Sequence, residues 1–176
     1  DNDYWPEKLT NDYEFIKENL DSFPITYINS IVVSGDGIEK KIFTLYNIRP
    51  DRIIDDVYHM KCDLSSDINE NLPILRRYAS ECDHITEMGV REVCSTWAFL
   101  MANPKKLICI DYIHPEKQSE SGKQMMHLVS GGLQNHDTGI DFKFIEADTR
   151  KIEIEPTDLL FIDTEHNYDQ LKTELS

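Results

Sequence analysis

Four acidic residues recur at the ends of short apolar runs in the second half of the chain. Glu87 follows Ile85-Thr86, Asp111 follows Leu107-Ile108-Cys109-Ile110, Asp148 closes the run that starts at Phe142, and Asp163 follows Leu159-Leu160-Phe161-Ile162. An ionised carboxylate only accepts hydrogen bonds, so a rim of four suits a ligand rich in donors: hydroxyls, an amino group, a cationic centre. Two of these acids also carry a histidine three residues on, in Asp111-x-x-His114 and Asp163-x-x-His166. Such pairs have the atoms to hold a divalent ion, and either histidine alone has the chemistry of a general base.

The loop after the first run, from Gly89 to Thr96, holds one glycine, where a dinucleotide fingerprint needs three to bring backbone onto a pyrophosphate. Glu87 and Glu92 flank it with negative charge, which argues against NAD and ATP. Neither G-x-S-x-G nor H-E-x-x-H occurs, so serine-hydrolase and zincin chemistry drop out. The charge balance, 18 Lys and Arg against 33 Asp and Glu for a net of −15, repels phosphate backbones and sets a nucleic-acid partner aside. The longest wholly apolar run, Trp97 to Ala102, has six residues against the 18 or so that a membrane helix requires, so no membrane is expected. No signal peptide is recognisable at Asp1-Asn2-Asp3-Tyr4-Trp5-Pro6. Cys62, Cys82, Cys94 and Cys109 show no CxxC spacing, and a reducing cytoplasm is the expected setting.

The elements that must position these residues can be read from periodicity. The four runs read as strands. Ser95 to Ala102, stopped by Asn103-Pro104, reads as a buried helix between the first two, and Glu116 to Leu133, ending at Gly131-Gly132, as a helix between the second and third. Strands alternating with helices predict an α/β fold: a Rossmann-like, open, mainly parallel sheet with flanking helices and all four acids at its carboxyl edge, where such sheets bind ligands. Upstream, Ile68, Leu72, Leu75, Ala79 and Cys82 trace one face of a helix whose cap lies near Asn71, because Pro73 must sit in its first turn. Ile25 to Tyr46 reads as a hairpin around Ser34-Gly35-Asp36-Gly37, and Asn11 to Leu20 as a short helix. The division that follows is an appendage over 1–66 and a ligand-binding domain over 67–176, with 40% of residues hydrophobic, enough for one core. Trp97, Met125, Met126 and Tyr168 are read as packing residues.

Glu87-x-Gly89, Asp111 24 residues later, Asp148, and Phe161-Ile162-Asp163-x-x-His166-x-Tyr168 together resemble class I S-adenosylmethionine-dependent methyltransferases, over about residues 67 to 176. The nearest likeness is to the small-molecule group with an F-I-D-x-x-H-x-Y motif. S-adenosylmethionine also has the donors that the acidic rim asks for. The resemblance implies that Gly89 and the backbone of Val90 and Arg91 approach the methionine part, with Glu87 by its amino acid moiety and Ser95 in the same contacting set. It further implies that Asp111 holds the ribose hydroxyls and Asp148 with Thr149 lies near the adenine. Asp163 then sits beside the reacting methyl, and His166 with Asp163 forms the catalytic pair for a small-molecule or saccharide hydroxyl. The departures are Arg91 and Val93 or Cys94 in place of further glycines, and a chain that stops at Ser176 where members of the family continue, so the sheet is expected to be incomplete at its C-terminal side. Two alternatives stand beside it: a non-catalytic binding or assembly module, and a metal-dependent hydrolase or oxygenase on the same scaffold, the divalent ion being the weaker cofactor reading. A homo-oligomer through the N-terminal hairpin is a further expectation.

Overall fold

The computed structural model describes residues 8–10, 26–35, 38–64, 66–135 and 138–176, with side chains described at Tyr46 and from Ile48 onward, Asn135 excepted. The helix expected over Asn11 to Leu20 lies outside the described residues. Three strands, β1 (Lys8–Thr10), β2 (Thr26–Gly35) and β3 (Ile38–Asn47), form an antiparallel sheet in the order β1-β3-β2. The β2–β3 hairpin runs in register from Thr26↔Asn47 to Gly35↔Ile38, the pairing that the β-branched and aromatic runs predict. Asp36 and Gly37, which join the two strands, are outside the described set.

A helix follows that is not among the elements expected from the sequence. α1 (Ile53–Asp63) buries Ile53, Ile54, Val57, Tyr58 and Met60 along one face. Its first turn carries Asp55 and Asp56, favourable at the positive end of the helix dipole. Asp56 is fully buried and accepts from the backbone N–H and the guanidinium of Arg49, which holds the preceding segment against the helix. Ile53, Val57 and Met60 belong to the same apolar cluster as Ile85, Leu107 and Trp97, so part of the segment assigned to an appendage shares the core of the parallel sheet. α2 (Leu72–Ala79) starts after Asn71 with Pro73 in its first turn, as the proline requires.

β4 (His84–Met88), β5 (Lys106–Asp111), β6 (Asp141–Glu146) and β7 (Leu159–Ile162) form the main sheet, every pair parallel, in the order β6-β5-β4-β7. This is the open α/β arrangement expected. α3 (Ser95–Ala102) crosses from β4 to β5, buried from Ser95 to Leu100, and Asn103 ends it in the left-handed conformation before Pro104. The single helix expected over Glu116 to Leu133 is instead two, α4 (Pro115–Gln118) and α5 (Glu120–Asn135), broken at the extended Ser119. Gly131 and Gly132 do not end α5. They are where it meets α1, since a Cβ on Gly132 would lie 3.0 Å from Ile54 Cγ1. α6 (Tyr168–Glu174) follows β7.

Side chains alternate between the faces of the sheet with period two. Ile85, Leu107, Cys109, Phe142, Phe144, Leu159 and Phe161 join the large cluster with α1 and α3, while Met88, Ile108, Ile110, Ile145, Leu160 and Ile162 meet Ile152 and Ile154 from the segment between β6 and β7. β7 is therefore half-buried rather than buried throughout, because it lies at one edge of the sheet. Among the described residues, no helix is long and apolar enough to cross a membrane.

Candidate functional site

With every strand parallel, the ends of β4, β5, β6 and β7 share one edge. The chain moves from β4 to β5 to β6 in one direction and then returns to the other side of β4, so the strand order reverses between β4 and β7. At that reversal the loops leaving adjacent strands part in opposite directions and leave a crevice. Gly89 stands in it with φ +85°, and a Cβ there would come 2.1 Å from the carbonyl oxygen of Asp163. Only glycine accepts both the torsion and the approach.

The loop from Gly89 to Cys94 is clamped from several sides. Asp111 Oδ2 accepts from the backbone N–H of Val90 at 2.7 Å and of Arg91 at 2.9 Å. Val93 N–H donates to the Val90 carbonyl at 2.8 Å, and Gly89 N–H to the Ile110 carbonyl. Arg91 and Val93 both have positive φ, 42° and 56°. For a β-branched residue this conformation costs roughly 1–3 kcal/mol and persists only where surroundings enforce it.

Glu87 lies beneath the loop. It is 0% exposed, and its oxygens accept from Ser95 Oγ, from Thr96 Oγ1 at 2.7 Å and from the Cys109 thiol at 3.1 Å. Burial pushes its pKa up to about 7 against the opposing pull of these donors, and burial likewise raises the Cys109 thiol well above its ordinary value. β4 runs one residue past Glu87 to Met88, so the carboxyl group points into the helix-covered face and not onto the rim.

Two cavities flank the loop and share Gly89, Arg91 and Asp163. The first, about 500 Å³, adds Asp111, Tyr112, Asp148, Thr149, Arg150, Thr164, Glu165 and Gln170. The second, about 320 Å³, adds Ser66, Asp67, Ile68, Val90, Glu92, Cys94 and Ser95. Of the residues singled out in the sequence, Gly89, Arg91, Asp111, Asp148, Thr149 and Asp163 thus meet around one cavity. Val90 and Ser95 line its neighbour, and Glu87 lines neither.

Asp148 is held in a fork by Arg150, with Lys151 at 3.1 Å, and the Arg150 hydrogen bonds drive its pKa far below the usual carboxylate range. Asp163 Oδ1 lies 2.9 Å from His166 Nε2, and the ring is 78% exposed and outside the walls of both cavities. His114 serves the fold instead. Its Nδ1 caps α4 by accepting from Glu116 N–H, and its ring packs on Phe144 at 4.4 Å, so the two Asp-x-x-His pairs do not converge. Tyr168, expected to pack, is instead 75% exposed at the start of α6, whereas Trp97, Met125 and Met126 are buried as expected.

The sequence reading missed Tyr112, Arg150, Glu165 and Gln170, together with Ser66 to Ile68. Tyr112, 69% exposed, offers a ring face on which a flat heterocycle could stack. It directly follows Asp111, so extending each strand end by one residue would have found it. Ser66 and Asp67 come from the connection before α2 and carry no sequence signal of their own, while Ile68, counted above with the helical face, lies in that same connection. Compared with models of known families, the chain matches none, and no curated protein is similar enough to it to count as a match.

Proposed function

We propose that the protein is an S-adenosylmethionine-dependent methyltransferase acting on the hydroxyl of a small molecule or saccharide. The observation that carries this reading is the cavity at the reversal of strand order, where Gly89 is pressed against the Asp163 backbone and the open carboxylates are Asp111, Asp163 and Glu165. The residues suit the cofactor. Asp111 lines the cavity, and among the described residues its Oδ1 has a long, 3.4 Å contact to Ile113 N–H, leaving acceptor capacity for a ribose hydroxyl. Tyr112 supplies a face for the adenine, and the carboxylates of Asp163 and Glu165 favour a cationic centre. A pyrophosphate fits poorly, because the first turn of α3 already meets the Glu87 carboxyl group.

When bound, S-adenosylmethionine supplies a methyl group already activated on a sulfonium, so the protein's part is alignment and proton removal. Asp163 Oδ1 lies 2.9 Å from His166 Nε2, an arrangement in which the carboxylate orients the ring and the Nδ1 side is turned to the role of base for an acceptor hydroxyl. His166 lies outside the cavity walls, so an acceptor must bridge from the cavity to it. That same exposure favours the second reading, a binding module that holds the cofactor without turnover. The unconverged Asp-x-x-His pairs give the metal-dependent alternative no support. All four cysteines are free, which suits the reducing cytoplasm proposed for it.

The deciding experiment is titration calorimetry with S-adenosylmethionine and S-adenosylhomocysteine, followed by methyl transfer from labelled cofactor to a panel of hydroxylated acceptors. Saturable binding of both with transfer supports the enzyme. Binding without transfer moves the reading to the module, and no binding of either overturns both.

A further inference from the structure

Lys61 is a charged residue on the core side of α1, 7% exposed, and its Nζ donates to the carbonyl oxygen of Glu92 at 3.1 Å. That carbonyl belongs to the same peptide unit as the Val93 N–H, which donates to Val90. A half-turn of this one peptide would carry Val93 out of positive φ into the negative-φ half of the map that a valine prefers. It would also withdraw the carbonyl from Lys61 and break the bond to Val90. The strained form is thus the one that the lysine selects.

We propose that Lys61 is a positioning residue for the ligand loop: its ammonium holds the Glu92–Val93 peptide in the orientation that keeps Val90 and Arg91 turned onto Asp111. The wall shared by the two cavities then depends on a helix outside the parallel sheet. Burial lowers the lysine's pKa, and its hydrogen bond is to a neutral carbonyl, an arrangement that core stability alone does not favour. Replacing it by an apolar side chain of similar length removes a buried charge, so the fold should be no weaker while the loop loosens. That opposite response of fold and loop separates positioning from packing.

The test uses Lys61→Met and, as a second variant, Lys61→Gln in the full chain, with thermal melting, amide hydrogen exchange at Val90, Arg91 and Val93, and the affinity for S-adenosylhomocysteine. In Lys61→Met the melting temperature should hold or rise, exchange at Val93 should accelerate about tenfold or more, and the dissociation constant should rise by about the same factor. Unchanged exchange in a folded variant overturns the proposal, as does faster exchange with unchanged affinity. If both variants melt well below the parent, Lys61 belongs to the core and the proposal falls. The affinity arm rests on the methyltransferase reading and the exchange arm does not. Faster exchange in a protein whose parent binds no S-adenosylhomocysteine therefore leaves the loop assignment standing and sinks the functional one.

Discussion

The ends of β4 and β7 lie side by side in the sheet and look alike in the sequence, each an apolar run followed by an acid, yet they do opposite work. Glu87 is sealed under α3, and the hydrogen bonds found for it run to the protein's own hydroxyls and thiol. Asp163 stands at the rim of both cavities with a single exposed histidine against it. Strand parity and length make the difference. Glu87 is one residue short of its strand's end on the covered face, while Asp163 is one residue past the end of β7, where the chain has left the pleat. An acid at a strand end is therefore a candidate ligand contact only once its register is known.

The contact that joins the two ends is the place to break them together. In Gly89→Ala the new methyl group meets the Asp163 carbonyl at 2.1 Å, and both residues, one past the ends of adjacent strands, are held by backbone hydrogen bonds to Ile110 and Met88, so neither moves aside cheaply. Overpacking and left-handed strain together should cost about 3 kcal/mol or more. A denaturant midpoint near that of the parent would mean that the strand ends are less tightly joined than the structure has them.

The open end alone is addressed by His166→Ala. The ring is exposed and, among the described residues, its hydrogen-bond partner is Asp163, so its loss should leave stability and cofactor affinity close to the parent's. Turnover should fall about 100-fold, the usual worth of a positioned base. Single-turnover methyl transfer measured beside cofactor affinity makes the check, and full activity in the variant removes His166 from the mechanism.

Most of the parallel sheet was legible because buried strands leave continuous apolar runs and α3 is apolar on all sides. Pro73 fixed the start of α2 for a stated steric reason. α1 carries its own signal in Ile53, Ile54, Val57 and Tyr58, which recur at helical spacing. Lys61 on the same face was not legible, because its partner is a backbone carbonyl 31 residues away that only the fold brings near. Gly131 and Gly132 misled because a glycine pair reads as a stop, whereas here it opens room for α1. In the site, Asp111, Asp148 and Asp163 could be found from the run-then-acid pattern. The commitment of Asp111 Oδ2 to two loop amides and the fork of Arg150 on Asp148 could not, since both depend on loop torsions that the sequence does not encode locally.

The closed end offers the finest distinction, through pH. Burial raises the Glu87 pKa from 4.5 to about 7, so between those values the folded protein keeps a proton that the unfolded chain has lost. Stability then falls as pH rises through this window, by about 1 kcal/mol per pH unit, and the loss levels off once the folded acid also ionises. The direction is opposite to that of a carboxylate stabilised by a cation, so it marks a buried neutral acid. Glu87→Gln has nearly the same shape and cannot ionise, and its carbonyl oxygen still accepts from Ser95 or Thr96. The variant should be less stable than the parent near pH 5, where the parent's acid is neutral and well bonded, and the gap should close or reverse by pH 8. Subtracting the two pH profiles of melting removes the other titrating groups, His59 among them, whose pKa is lowered by burial and which pulls the other way. A constant difference from pH 5 to pH 8 would mean that Glu87 does not change charge in that range, and the sealed, neutral character assigned to the β4 end would fall with it.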